Sequence, residues 1–132
     1  MPFLTDKNEL KLTEQEIQYA IFEWIRALTS LRPVLSLVVA YPSQGGAGED
    51  NIRRGKVRKK EGQAKGFPDI MILVPKGKYH GAFLEVKREG EKPRKEQTEW
   101  LEELKLQGYK AEWRAGYDEC IKFICEYLEI KE

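Results

Sequence analysis

Three charged residues interrupt two apolar runs, and their types and spacing could do chemistry together. Asp69 opens the first run, Ile70-Met71-Ile72-Leu73-Val74, and Glu85 and Lys87 close the second, Ala82-Phe83-Leu84-Glu85-Val86-Lys87. Between them lies Pro75-Lys76-Gly77-Lys78-Tyr79-His80-Gly81, turn chemistry that predicts a β-hairpin with a loop longer than the tight two-residue type. Side chains alternate faces along a strand, so Glu85 and Lys87 share one face. Pairing the strands end to end, with Val74 opposite Ala82, sets Met71 against Glu85 and Asp69 against Lys87. All three charges then lie on one face at the open end of the hairpin. Two carboxylates and an ammonium on a half-buried face are costly unless they pair or bind a cation.

Both outcomes are open on the residues alone. As a structural cluster, Lys87 neutralises Asp69 or Glu85. As a cation site, the two carboxylates and the Val86 carbonyl between Glu85 and Lys87 offer hard oxygens, which suit Mg²⁺ or Mn²⁺ rather than zinc. Water activated by such an ion can attack a phosphodiester in line, with Lys87 orienting or deprotonating it. His80 sits in the hairpin turn with no Ser or Cys arranged beside it, which argues against a covalent nucleophile.

The elements that must position these groups can be read around them. A chain of 132 residues, 41% hydrophobic and 34% charged, predicts one globular domain over residues 13–132 after a lead-in of residues 1–12. Thr13-Glu14-Gln15-Glu16 is a capping-box pattern, and Ile17, Ile21, Trp24, Ile25 and Leu28 continue it as the apolar stripe of a helix ending near residues 30–32, before Pro33. Residues 35–41 read as a first strand. After the hairpin, Pro93 suits the first position of a helix whose apolar face holds Trp100, Leu101 and Leu104 and which Gly108 stops. Gln97 shares that inward face. Residues 110–115 read as a last strand, and Tyr117, Cys120, Ile121, Ile124, Cys125 and Leu128 keep a helical period. The order α-β-β-β-α-β-α predicts an α/β domain, a mixed sheet with helices on its faces. Cys120 and Cys125 lack metal-ligand spacing and read as small core residues. No run is long enough for a membrane span and no signal sequence opens the chain, so an intracellular protein is expected.

Charge is distributed unevenly behind a net value of +1. Residues 42–65 form the longest irregular segment, and its second half holds Arg53, Arg54, Lys56, Arg58, Lys59, Lys60 and Lys65 against the single acid Glu61. Leading directly into Asp69, that run suits a grip on phosphates through the backbone rather than base readout. Its Gly45-Gly46-Ala47-Gly48 lacks the Gly-Lys-Ser/Thr ending of a nucleotide-binding loop. Lys92, Arg94 and Lys95 sit at the start of the second helix, the unfavourable end for cations unless an anionic backbone passes nearby.

An Asp, a hairpin's length, then Glu-x-Lys, with Gly-x-Pro ahead of the Asp, resembles the PD-(D/E)XK nuclease motif. Gly66-Phe67-Pro68-Asp69 and Glu85-Val86-Lys87 are most similar to its VRR-NUC branch, the virus-type replication–repair nuclease domain, and the resemblance takes in nearly the whole chain. It implies a restriction-endonuclease-like αβββαβ core and a Mg²⁺- or Mn²⁺-dependent deoxyribonuclease leaving a 3′-hydroxyl and a 5′-phosphate. It implies catalytic roles for Asp69, Glu85 and Lys87 and a supporting one for Gln97, with Asp69, Glu85 and Val86 at the metal. A first-helix glutamate adds a further metal carboxylate in the family; Glu16 matches it, although its capping role alone explains it. Trp113-Arg114-Ala115 stands where the family carries a Val-Arg-Arg-like run, and with only Arg114 kept that segment reads as structural. Stand-alone relatives imply a homodimer acting on branched DNA such as Holliday junctions or flaps, with Trp24, Tyr109 and Trp113 as interface candidates. The rival is a non-catalytic nucleic-acid-binding module, which explains the basic run but leaves the Asp69, Glu85 and Lys87 cluster as an uncompensated cost.

Overall fold

The structure, a computed structural model, describes residues 11–42, 62 and 64–131. Helix α1, Glu14–Leu28, starts at the predicted capping box: the Glu16 N–H donates to Thr13 Oγ1 (3.1 Å) and the Thr13 N–H to Glu16 Oε1 (3.0 Å). Ile17, Ile21 and Ile25 are its buried stripe. The helix ends at Leu28, slightly short of the predicted 30–32, where the Leu28 carbonyl takes the N–H groups of Leu31 and Arg32.

The first strand is shorter than the sequence suggested. Only Val38–Ala40 (β1) is extended; Pro33–Leu37 winds as a 3₁₀ helix instead. Pro33 presets the φ of a helical start, and the Ser36 hydroxyl donates back to the Pro33 carbonyl at 2.8 Å. That turn buries Leu35 completely.

Strands β2 (Ile70–Ile72) and β3 (Ala82–Lys87) pair antiparallel, in a register two residues from the one expected: Ile72, not Val74, lies opposite Ala82. The end of the first run is occupied elsewhere. The Leu73 N–H goes to the Leu37 carbonyl (3.0 Å), the Val74 carbonyl accepts from the Tyr127 hydroxyl (2.6 Å), and Pro75 has no N–H to continue a ladder. A shift of two keeps every side chain on its predicted face. Continued outward, the observed register sets Asp69 against Glu85 rather than Lys87, and Pro68 against Val86.

Helix α2, Lys95–Leu106, begins two residues after Pro93, because the Gln97 Oε1 accepts the Arg94 N–H at 2.8 Å and fixes Arg94 as the cap. Strand β4, Lys110–Ala115, returns parallel to β3, and helix α3, Tyr117–Leu128, closes the domain. The sheet order β1-β2-β3-β4 is mixed, as predicted. Alternation assigns the two faces. Ile70, Ile72, Leu84 and Val86 are buried with α1 and α3 in the main core, while Leu101 and Leu104 of α2 cover Ala111 and Phe83 on the other side. Cys120 and Cys125 are buried as small core residues. The charged trio falls on the α2 face, beyond the reach of the helix's apolar residues.

Candidate active site

Asp69 sits one residue before β2, held at both ends. Its carbonyl accepts the Tyr41 N–H (2.8 Å), and its Oδ2 accepts the Val86 N–H (2.8 Å). Pro68, opposite Val86, has no N–H to offer that residue's carbonyl. Since N–H and C=O of a strand residue point the same way, the Val86 carbonyl turns to the Asp69 side and can serve as a ligand.

Glu85 is only 2% exposed, Lys87 4% and Gln97 7%. Gln97 makes two fixed bonds: its Oε1 caps α2, and its Nε2 donates to Glu85 Oε2 at 3.0 Å. Lys87 Nζ lies 3.6 Å from that same Glu85 Oε2. No donor reaches the other oxygen, the buried Glu85 Oε1, while the Glu85 and Asp69 carboxyls lie within hydrogen-bonding reach of each other, a pairing that a shared proton or a cation completes. Ionised together, two such adjacent carboxylates are costly unless a cation compensates them. Burial, then the neighbouring Asp69 charge, pushes the Glu85 carboxyl up to about 9. Burial likewise raises Asp69 against the opposing effect of the Val86 N–H.

Glu16 is not part of this cluster. Its carboxylate is committed to the Thr13 N–H, and that hydrogen bond holds its pKa below the ordinary value on an exposed surface. The first-helix carboxylate near the site is Glu14, whose Oε2 lies 3.4 Å from Lys87 Nζ and whose pKa burial raises. Sequence reading missed it because the capping box drew attention to Glu16. The signal was present: Glu14, Ile17, Ile21 and Ile25 fall at i, i+3, i+7 and i+11, so Glu14 extends the buried stripe toward the sheet.

The approach to Asp69 is a packed aromatic joint. Phe67 meets Tyr41 (4.6 Å between ring centroids), Trp100 (5.0 Å) and Phe83 (5.5 Å). Gly66 has φ +84°, and a Cβ there would lie 2.8 Å from Glu96 Cγ, so both conformation and space require glycine. Beside it opens a cleft of about 250 Å³ with Glu14, Asp69, Glu85 and Gln97 in its walls and Lys65 and Arg94 at its edge. Of the predicted DNA-binding residues, Lys65 is described and exposed; Arg53, Arg54, Lys56, Arg58, Lys59 and Lys60 lie outside the described residues. Arg114 pairs with Glu112 (2.9 Å) and Glu119 (3.3 Å) and lies over the Phe123 ring, which agrees with a structural part.

The donor set fits a hard divalent cation. Among the described residues no three His, Cys, Asp or Glu side chains close around a metal position. Asp69, Glu85 and the Val86 carbonyl would make up only a partial shell, of the kind Mg²⁺ completes with water.

Comparison with known proteins agrees with the fold. A solved structure described as a VRR_NUC domain protein superposes with a TM-score of 0.73 at 26% identity, covering 92% of each chain. No curated protein matches. The VRR-NUC domain family matches residues 12–116, which contain Glu14, Asp69, Glu85, Lys87 and Gln97. The chain belongs to the VRR-NUC domain family, a family of nucleases.

Proposed function

We propose that the protein is a Mg²⁺- or Mn²⁺-dependent endonuclease that hydrolyses DNA phosphodiesters, selecting branched structures such as Holliday junctions or flaps. The observation that carries this reading is the half-buried Asp69 carboxyl against the buried Glu85 carboxyl, whose Oε1 no donor reaches and whose Oε2 faces Lys87. Asp69, Glu85 and the Val86 carbonyl would hold the ion. When bound, it supplies Lewis-acid polarisation of the phosphate and a water acidic enough to react at neutral pH.

The remaining steps belong to the chain's own groups. The Val86 N–H fixes the rotamer of Asp69, and Gln97 Nε2 fixes that of Glu85. Lys87 Nζ, held between Glu14 and Glu85, orients the attacking water and donates to a phosphate oxygen as negative charge builds there. Glu14 places that ammonium, so the first-helix carboxylate acts through Lys87 or as an outer ligand of the ion. The Phe67 joint keeps Asp69 at a constant depth in the cleft.

The test is a panel of end-labelled duplex, single-stranded, flap and four-way-junction DNA incubated with Mg²⁺, Mn²⁺ or EDTA. Metal-dependent cuts leaving 5′-phosphates, fastest on the branched substrates, are expected. Retention of DNA in a gel shift with no cleavage under any metal would instead establish a binding module.

A further inference from the structure

Two cations at the mouth of the cleft share one carboxylate oxygen. Glu96 Oε1 lies 3.3 Å from Arg94 Nε and 4.0 Å from Lys65 Nζ. Arg94 and Lys65 border the cleft that Asp69 and Glu85 line, while Glu96 is tucked behind Gly66. The backbone under this trio is fixed from both sides. Trp100 donates its indole N–H to the Lys65 carbonyl at 3.1 Å, and Gln97 takes the Arg94 N–H.

The electrostatics are uneven. Arg94 caps the N-terminus of α2, the positive end of its dipole, where a guanidinium is unfavourable and an anion is favoured. Glu96 supplies that anion within the first turn, and its own N–H, with both cations, keeps it ionised. Both cations are nevertheless mostly exposed, at 67% and 78% of their side chains, so Glu96 leaves most of their donors unused. An arginine fork with donors to spare matches a phosphate better than one carboxylate oxygen shared with a lysine.

We propose that Arg94 and Lys65 clamp a DNA backbone phosphate flanking the scissile one, and that Glu96 is an internal stand-in anion which this phosphate displaces. Glu96 holds the two cations aimed at the cleft in the free protein and weakens DNA binding by competing for them. The inference rests on the nuclease reading and adds to it the residues that seat the substrate backbone.

The experiment measures anisotropy of a labelled junction with Ca²⁺ in place of Mg²⁺, over a range of salt concentrations, after confirming that the probe stays uncut. Glu96→Gln is expected to tighten binding about two- to fivefold, the range of an exposed ion pair removed from competition. Arg94→Gln and Lys65→Gln are expected to weaken it, each flattening the log–log salt slope by about 0.9. In the Arg94→Gln/Lys65→Gln background the Glu96→Gln gain should vanish. Glu126→Gln, on the exposed side of α3, controls for the loss of one negative charge. A Glu96→Gln effect no larger than that of Glu126→Gln, or one that survives loss of both cations, overturns the clamp while leaving the nuclease reading intact. Failure of the unmodified protein to bind any DNA overturns both. A gain in affinity cannot come from misfolding.

Discussion

Glu14 and Glu16 sit two residues apart on the same helix turn and are assigned opposite duties by what each touches. Glu16 is spent on the Thr13 N–H, and Glu14 meets Lys87. Glu14→Gln is therefore expected to lower cleavage about 10- to 100-fold, the usual cost of losing a group that orients site residues, with little change in melting temperature. Glu16→Gln should leave cleavage unchanged and lower the melting temperature slightly. Reversal of the two phenotypes in a cleavage assay paired with thermal melts would return the role to Glu16. Titration gives a second prediction at this scale. Glu85 is raised from 4.5 to about 9, and Asp69 is raised as well, so the folded protein without metal binds protons that the unfolded chain has released. Stability from these groups is complete below their ordinary pKa values and is lost as pH rises toward about 9. In EDTA the melting temperature should fall across that window, by roughly 5 °C or more, and Glu85→Gln should flatten the fall. Melts in EDTA showing equal slopes for both proteins would sink that account.

Elements differ in how far the sequence specified them. β3, β4 and α3 were legible because their apolar periods are long and begin after clear punctuation, Gly81, Gly108 and Gly116. The register of β2 on β3 was not, because it depends on partners remote in sequence: Leu37 takes the Leu73 N–H and Tyr127 takes the Val74 carbonyl. The placement of the trio on one face survived that error since a two-residue slip preserves alternation. The 3₁₀ turn over Pro33–Leu37 overrode a strongly β-like run by burying Leu35. The Gly66 turn shows the same dependence on tertiary context, since Glu96 on α2 adds a steric need for glycine to that of its φ of +84°. Gly66→Ala combines a left-handed backbone with a collision, and a destabilisation of roughly 1–3 kcal/mol is expected. Because the strain falls at the entry to Asp69, cleavage should drop further than global stability does. Urea unfolding beside initial rates would check this, and a rate that merely tracks the folded fraction would contradict it.

At the scale of the molecule, one sheet carries its apolar core on the α1–α3 side and its charged trio on the α2 side, at the end that α2 leaves open. The mixed sheet with helices on its faces and the three charges on one face were readable from element order and alternation, and the family match and the superposed structure agree with the fold. The described helices include none long and apolar enough to cross a membrane. A pair of cuts across a junction calls for two copies related by symmetry. Of the three aromatic residues the sequence offered for that contact, Trp24 and Tyr109 are half-buried, and Trp113, 39% exposed, is the most open. Light scattering is expected to return twice the monomer mass, and a monomer at working concentration would contradict paired cutting. The most direct test of the central claim is the initial rate of Mg²⁺-dependent junction cleavage by the unmodified protein and by Asp69→Asn, with DNA binding measured on the same samples. Loss of cleavage by at least about a hundredfold, with binding kept or tightened, is the predicted result for a group that holds the ion at the reacting phosphate. Cleavage at an unchanged rate in Asp69→Asn would make the charged trio a structural ion-pair cluster and move the active site elsewhere.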